Sequence, residues 1–477
     1  MKRRIPGLLI VLAALVALVA WGRDTPSPPV AGFSEAAEGW MPFAPAQGGL
    51  IESWFCPGVP ASGIDGIAGE IVVANRGGEQ LDGTVLVLND EGDSRRLDLM
   101  VEPWTTATLD LTATLAGGVV GAVVEIEGGG ALVEQHAIHP GGDSSSPCAN
   151  ATSDEWFLAD GFTLDGSLDQ VILTNPFEQT VVANLSFSTR EGYREPGSYR
   201  GLTVPPRSIR VVDLGAPGAG AQSEPVLAVD VEVTRGRLVV GRSQQFLGGG
   251  REGAQVSVAA PVAREQWWFA DGAKGIGVDE SFVIYNPTAE SVEVDVLFIG
   301  IEQPVLVDPI TVPARQVVVF DSGEQVDLPD GAHATVFATA TSEPSIVVDR
   351  VVTRTEGDDT GTGVLTGALA RAGYVASTWY VPLGPDEAVE DALVLYNVDN
   401  EAGSVSVSAV GRSGPVPIES LQEVPYGPAQ RITLDLTDPL VVGRQLIVEA
   451  TTRVMVERSF PNGVGGLRTP SWAIPAG

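Results

Sequence analysis

Residues 291–298 read SVEVDVLF, and the alternation in this stretch decides the fold. Val292, Val294, Val296 and Phe298 fall on one face of an extended chain, with Glu293 and Asp295 on the other. A period of two is that of a strand with one buried and one wet face, which means antiparallel pairing. Residues 227–233 alternate in the same way, turning Asp230 and Glu232 outward. Around this stretch the pattern predicts seven strands: near Trp267, then 281–286, 291–299, 303–311, 315–320, 333–340 and 345–353. Seven short strands in about 110 residues suit an immunoglobulin-like β-sandwich. Propeller blades need only four strands in about 40–50 residues.

The same landmarks occur four times. A tryptophan opens each copy: Trp54 (SWFCPG), Trp156 (EWFLADG), Trp267 (QWWFADG) and Trp379 (TWYVPLG). Each is followed by a strand ending in asparagine, at Asn75, Asn175, Asn286 and Asn397. A proline follows at Pro103, Pro205, Pro313 and Pro425, then an apolar strand capped by Asp110, Asp213, Asp321 and Asp435. A valine-rich strand then carries Arg242, Arg350 and Arg458 at matching points, with Gln135 in the first copy. Such repetition predicts an all-β chain of four tandem sandwich repeats, over 54–155, 156–263, 264–376 and 377–477. Set end to end, they would form a stiff rod. Ser471-Trp472-Ala473-Ile474-Pro475 parallels Ser257-Val258-Ala259-Ala260-Pro261, so Trp472 closes the fourth copy and does not open a fifth.

Residues 1–22 carry Lys2, Arg3 and Arg4 before the apolar run LLIVLAALVALVAW, and form a transmembrane signal anchor or a cleaved signal peptide. Positive charge before the run leaves the remainder outside, on the cell membrane or secreted. Residues 23–53, rich in Pro, Ala and Gly, are read as a linker. In an exported chain the two cysteines, Cys56 and Cys148, suggest a disulfide, with free thiols as the alternative. Net charge is −33, with 28 Lys and Arg against 61 Asp and Glu. Such a surface repels phosphate backbones, so nucleic acid is excluded as a partner.

Each recurring residue has a structural role that outweighs a chemical one. The tryptophans are expected to fill a core or a junction, with glycan stacking as the rival role. The asparagines are expected to bond backbone at a turn, and the late arginines to pair with the recurring aspartate of their own copy. His136 and His139 lie three apart and so on opposite strand faces, and His333 is alone, so no zinc site is predicted. Gly142-Asp143-Ser144 departs from the trypsin-like nucleophile loop at Ser145 and Ser146, and residues 141–147 are read as a flexible loop. Asp160, Asp165 and Asp169, Asp271, Asp279 and Glu280, and Asp386, Glu387 and Asp391 cluster after the tryptophans without aligning one for one. They are read as solvated loops, with calcium as the alternative. No cofactor and no catalytic group is predicted.

The order W-(F/Y)-x-A-D-G, Asn-Pro, Val-Pro and V-x-x-R resembles repeats in an uncharacterised family of actinobacterial exported proteins. WFCPG, EWFLADG and the basic-then-apolar N-terminus carry the likeness, and Arg76 and Gln135 of the first copy depart from it. The resemblance implies an envelope role. A non-catalytic spacer or assembly scaffold is therefore expected, anchored to the membrane by its N-terminal segment and facing a cell-wall glycan or an envelope protein. The rivals are a glycan-binding module, which an exposed Trp104, Trp267 or Trp268 would favour, and an envelope hydrolase.

Overall fold

The alternating segments pair antiparallel throughout. The computed structural model describes residues 42–45, 48–340, 345–369 and 375–477. The N-terminal signal or anchor segment lies outside the described residues. Among these residues no helix is long and apolar enough to cross a membrane.

The chain is all-β, and each of the first three repeats supplies two antiparallel sheets. In the first, Ile51–Pro60, Val119–Glu127, Leu81–Asn89 and Ser94–Val101 form one sheet in that order. Thr106–Asp110, Ala68–Asn75, Ala131–Ile138 and Ser144–Pro147 form the other. The second and third repeats place Arg251–Val258 and Asp359–Thr366 where the first has Ser144–Pro147. In the fourth, one strand, Leu446–Pro461, runs through both layers and joins them into a nine-stranded sheet. In the first two repeats Gly128, Gly129, Gly130 and Gly236 hold positive φ between the two layers, whereas Leu446–Pro461 contains no glycine.

Asparagine ends the second strand of every repeat in one way. The Asn175 amide donates to the carbonyls of Gln179 (2.7 Å), Val204 (3.1 Å) and Pro205 (2.8 Å), and its oxygen accepts from Phe177 N–H (3.0 Å). Asn286 repeats this with Glu290, Val312, Pro313 and Thr288. Asn75 does so with Glu79, Val101, Glu102 and Gly77, despite Arg76 beside it. Asn397 bonds Glu401, Gly427 and Asp399. This register corrects one landmark. Glu102 and Gly427 stand where Pro205 and Pro313 do, so Pro103 and Pro425 are out of step with them. Two residues further on, Trp104, Arg207, Arg315 and Ala429 all adopt φ near +50° (56°, 49°, 51° and 48°).

The closing strand of each repeat returns to the residue after its opening tryptophan. Phe55 bridges Ala149, Phe157 bridges Ala260, Trp268 bridges Ala368, and Tyr380 pairs Ile474. Cys56 and Cys148 form a disulfide at this junction in the first repeat. At the corresponding place in the third, a Cβ on Gly367 would meet the Phe269 ring at 2.9 Å, so an aromatic fills the space instead.

The predicted rod is corrected. The described residues form one unit in which the first repeat also meets the fourth. Thr362 Oγ1 (third) accepts from Glu252 N–H (second, 3.3 Å), and Trp472 Nε1 (fourth) donates to Thr366 O (third, 2.9 Å). Thr469 Oγ1 (fourth) donates to Asp143 O (first, 3.0 Å), and Ser144 Oγ (first) accepts from Val256 N–H (second, 3.1 Å). Closing strands of all four repeats thus meet in a closed circuit. Ser144–Pro147, expected as part of a flexible loop, is one of these strands because its hydroxyls and backbone are used there. The linker boundary shifts as well. A strand already starts at Ile51, and Ala44 is bonded to Pro475 (2.7 Å) and Gly477 (2.9 Å) at the other end of the chain.

Candidate functional site

The four opening tryptophans are 0–1% exposed, which leaves no face for a sugar to stack on. Trp156, Trp267 and Trp379 donate their indole N–H to Leu238 O (3.1 Å), Ile346 O (2.8 Å) and Val454 O (3.0 Å). Each acceptor lies four residues before the recurring arginine. Trp54 turns its N–H to the Glu52 carboxylate instead. Trp268 is half-buried against Tyr396, with ring centroids 6.0 Å apart.

Arg242, Arg350 and Arg458 are buried at 1–2% exposure, and their partners differ from those expected. Arg242 Nε lies 2.9 Å from Asp169 Oδ1 within its own repeat. Arg350 pairs with Glu457 of the fourth repeat and also donates to Asp271 O. Arg458 Nη2 bonds Glu134 Oε2 of the first repeat (2.8 Å) and Ser471 Oγ (3.0 Å). Asp110, Asp213 and Asp321 are used locally, accepting from Ala113, Gly215 and Gly323 N–H, and Asp435 accepts from Asp391 N–H of a neighbouring strand. They end a strand and are not counter-ions.

Counting back six residues from each asparagine gives Asp169, Glu280, Asp391 and, in the first repeat, Gly69. The acidic clusters therefore do align at this position. Where the acid is missing, Gln135 replaces the arginine, so both charges are lost together. Glu280 Oε1 stands 4.0 Å from Arg350 Nε. Its other oxygen accepts from Ser322 Oγ (3.0 Å) and contacts His333 Nε2 (2.8 Å). This buried group has the members of a hydrolytic triad in the wrong order, since the acid separates the serine from the histidine.

The residue before each arginine builds the seams. Asp349 Oδ2 accepts from Ala159 N–H (3.0 Å) and Asp160 N–H (2.8 Å) of the repeat before it. Glu457 Oε2 accepts from Ala270 N–H (3.2 Å) and Asp271 N–H (3.0 Å) in the same manner. The Ala-Asp-Gly of the opening motif is thus a docking loop whose amides bind the next repeat's carboxylate. In the first and fourth repeats Pro57 and Pro382 take the alanine's place and offer no N–H. Opposite Pro57 stands Gly241, where a Cβ would lie 2.6 Å from the proline ring. In the first repeat the residue at the carboxylate position, Glu134, is bound by Arg458 and by His136 (2.8 Å).

These environments set the protonation of the carboxyls. Burial pushes Glu134 up, but the Arg458 and His136 charges more than offset it and hold it at about 2. Burial dominates at Glu457, raised to about 7, and at Asp169, raised to about 6 despite Arg242.

Two cavities open on inter-repeat seams. One of about 450 Å³ lies between the third and fourth repeats and gathers Arg354, Arg431 and Arg468 with Asp271, Glu356 and Asp391. Arg431 is held by Asp271 (2.8 Å), and Arg468 donates to the carbonyls of Glu390 (2.7 Å) and Asp391 (3.2 Å). Neither histidine nor cysteine lines it, so it lacks the usual general base and thiol nucleophile. The other, of about 370 Å³, lies between the first and fourth repeats beside Trp104. Among the described residues no group of three or more His, Cys, Asp or Glu is placed to hold a metal ion.

Residues 139–254 match a family of unknown function, DUF5719. The match takes in the end of the first repeat and most of the second. No curated protein matches the chain. Among solved structures, the one titled "Crystal Structure of Thermotoga maritima 1070" is similar at 15% identity, over 22% of this chain and 93% of that one. Its TM-score is 0.20.

Proposed function

We propose that the chain is a non-catalytic scaffold of the cell envelope, built of four immunoglobulin-like sandwich repeats and held outside the cytoplasm. One observation carries this reading. Most of the side chains that recur in the sequence, and so would mark a repeated active or binding group, are spent on buried contacts within and between repeats, and Arg242 and Asp169 are buried against each other. Chemistry needs polar groups left free to meet a substrate, whereas assembly needs them satisfied. The Cys56–Cys148 disulfide supports an oxidising compartment. The charge of −33 suits a soluble surface that neither nucleic acid nor an anionic headgroup layer attracts.

The test uses intact cells that express the full chain. Protease added from outside should degrade it, and thiol labelling after denaturation should find no free cysteine. Protection from the protease, or two reactive thiols, would place the chain inside and end this reading. Hydrolysis of purified wall polysaccharide by the full chain would end its non-catalytic part.

A further inference from the structure

The cavity between the first and fourth repeats differs from its surroundings in charge. The chain carries 61 acidic residues against 28 basic ones, yet no carboxylate lines this cavity. Two arginines, Arg412 and Arg444, stand at its rim. Both are exposed, and among the described residues neither side chain makes a hydrogen bond or an ion pair. No carboxylate of the lining neutralises these two guanidinium groups, so the hollow presents positive charge on an acidic protein.

Two further groups point the same way. Gln445 lines the cavity and is 2% exposed, and neither its amide nitrogen nor its amide oxygen has a hydrogen-bond partner. A buried amide left empty is costly, and a turn of the Gln445 side chain into the cavity would let the hydroxyls of a ligand satisfy both atoms. Trp104 provides a half-buried indole at the turn position where the other repeats carry Arg207, Arg315 and Ala429. Gly78 and Gly414 flank its ring, and a Cβ on Gly414 would come within 3.8 Å of it. Glycine at these two places keeps the ring clear of neighbouring side chains.

We propose that this cavity binds an acidic saccharide. The indole would receive the C–H face of a sugar ring, the Gln445 amide and the Thr106 hydroxyl its hydroxyl groups, and Arg412 and Arg444 its carboxylate. Planar guanidinium groups suit a carboxylate because they donate two parallel bonds. About 370 Å³ is at the small end of ligand pockets and fits one or two sugar units. The acidic surface around it disfavours a long polyanion and admits a short chain with few charges. This inference stands apart from the scaffold reading, since either can fail alone.

The probe is a tetrasaccharide of alternating glucuronate and N-acetylglucosamine, titrated calorimetrically into the full, oxidised chain. Uncharged chitotetraose and inorganic phosphate serve as the comparison ligands. Binding of the acidic tetrasaccharide is expected, weakened about tenfold or more by Arg412→Gln and by Arg444→Gln, the loss of a charge-assisted bond. Trp104→Ala should abolish binding, while Trp104→Phe should retain it. Both arginine variants alter exposed side chains, so circular dichroism should show an unchanged fold. No binding, equal binding of chitotetraose, phosphate binding as tight as the tetrasaccharide, or indifference to the arginine variants would each overturn the proposal.

Discussion

Glu457 takes the charge of Arg350 and two backbone amides at once, and all of these groups are buried. Its replacement by glutamine keeps the shape but leaves a guanidinium without its counter-ion in a dry seam. Losing one partner of a buried pair costs about 3–5 kcal/mol. Glu457→Gln should therefore lower unfolding free energy by roughly that amount in urea titrations at pH 8, where the carboxyl is ionised, and Arg96→Gln, at an exposed pair, by well under 1 kcal/mol. Asn175 and Asn286 give a second comparison. Each ties three carbonyls and one amide, so alanine at either should cost about 2–3 kcal/mol. Asn184→Ala, at a half-buried position whose bonds to Glu232 and Gly201 face solvent, should cost less. These asparagines were legible in the sequence because one side chain at a strand end makes bonds that depend only on local geometry. The arginine partners were not, since two of the three come from another repeat and no spacing within a repeat reports them. Only the within-repeat pair had a signal, the joint replacement of its acid by Gly69 and of its arginine by Gln135 in the first copy.

At the scale of elements, alternation revealed strands wherever one face is wet. Asp359–Thr366 escaped it because Gly361, Gly363 and three threonines blur the apolar face. Yet that strand, with Ser144–Pro147, Arg251–Val258 and Arg468–Trp472, is where the four repeats meet. Both sides of such strands are covered, so polar and apolar residues no longer alternate and the period disappears. The missing strands and the mistaken rod are thus one error with one cause. The disulfide has a consequence at this scale. Closing a loop of 92 residues stabilises by about 4–5 kcal/mol on the chain-entropy model. The core of the first repeat also takes in Val256 of the second and Ile474 of the fourth. Reduction, or Cys56→Ser with Cys148→Ser, should therefore lower the melting temperature of the whole unit in calorimetry. A separate early transition of the first repeat alone would contradict this.

For the whole molecule, pH divides the buried carboxyls into two groups. Glu457 and Asp169 have folded values raised by burial to about 7 and about 6. They bind protons more tightly folded than unfolded, so their contribution is full below the ordinary carboxylate range and is lost as pH rises towards 7. Glu134, held at about 2 chiefly by Arg458 against its burial, acts in the opposite sense. Its contribution is present above the ordinary range and is lost as pH falls from there towards 2. Stability should therefore peak near pH 5 and decline towards pH 8, and urea midpoints at pH 3, 5 and 8 would check the order. Self-repulsion adds to the alkaline side, because the net charge of −33 at pH 7 diminishes towards the isoelectric point of about 4.3.

The circuit has a consequence for how this gene can change. An array with two open ends tolerates gain or loss of a unit by unequal recombination, since each unit touches only its neighbours. Here Ala44 clasps Pro475 and Gly477, and Arg458 reaches Glu134, so the last unit must find the first. A fifth insert would have no vacant place, and a trimer would leave Glu134 facing the wrong guest.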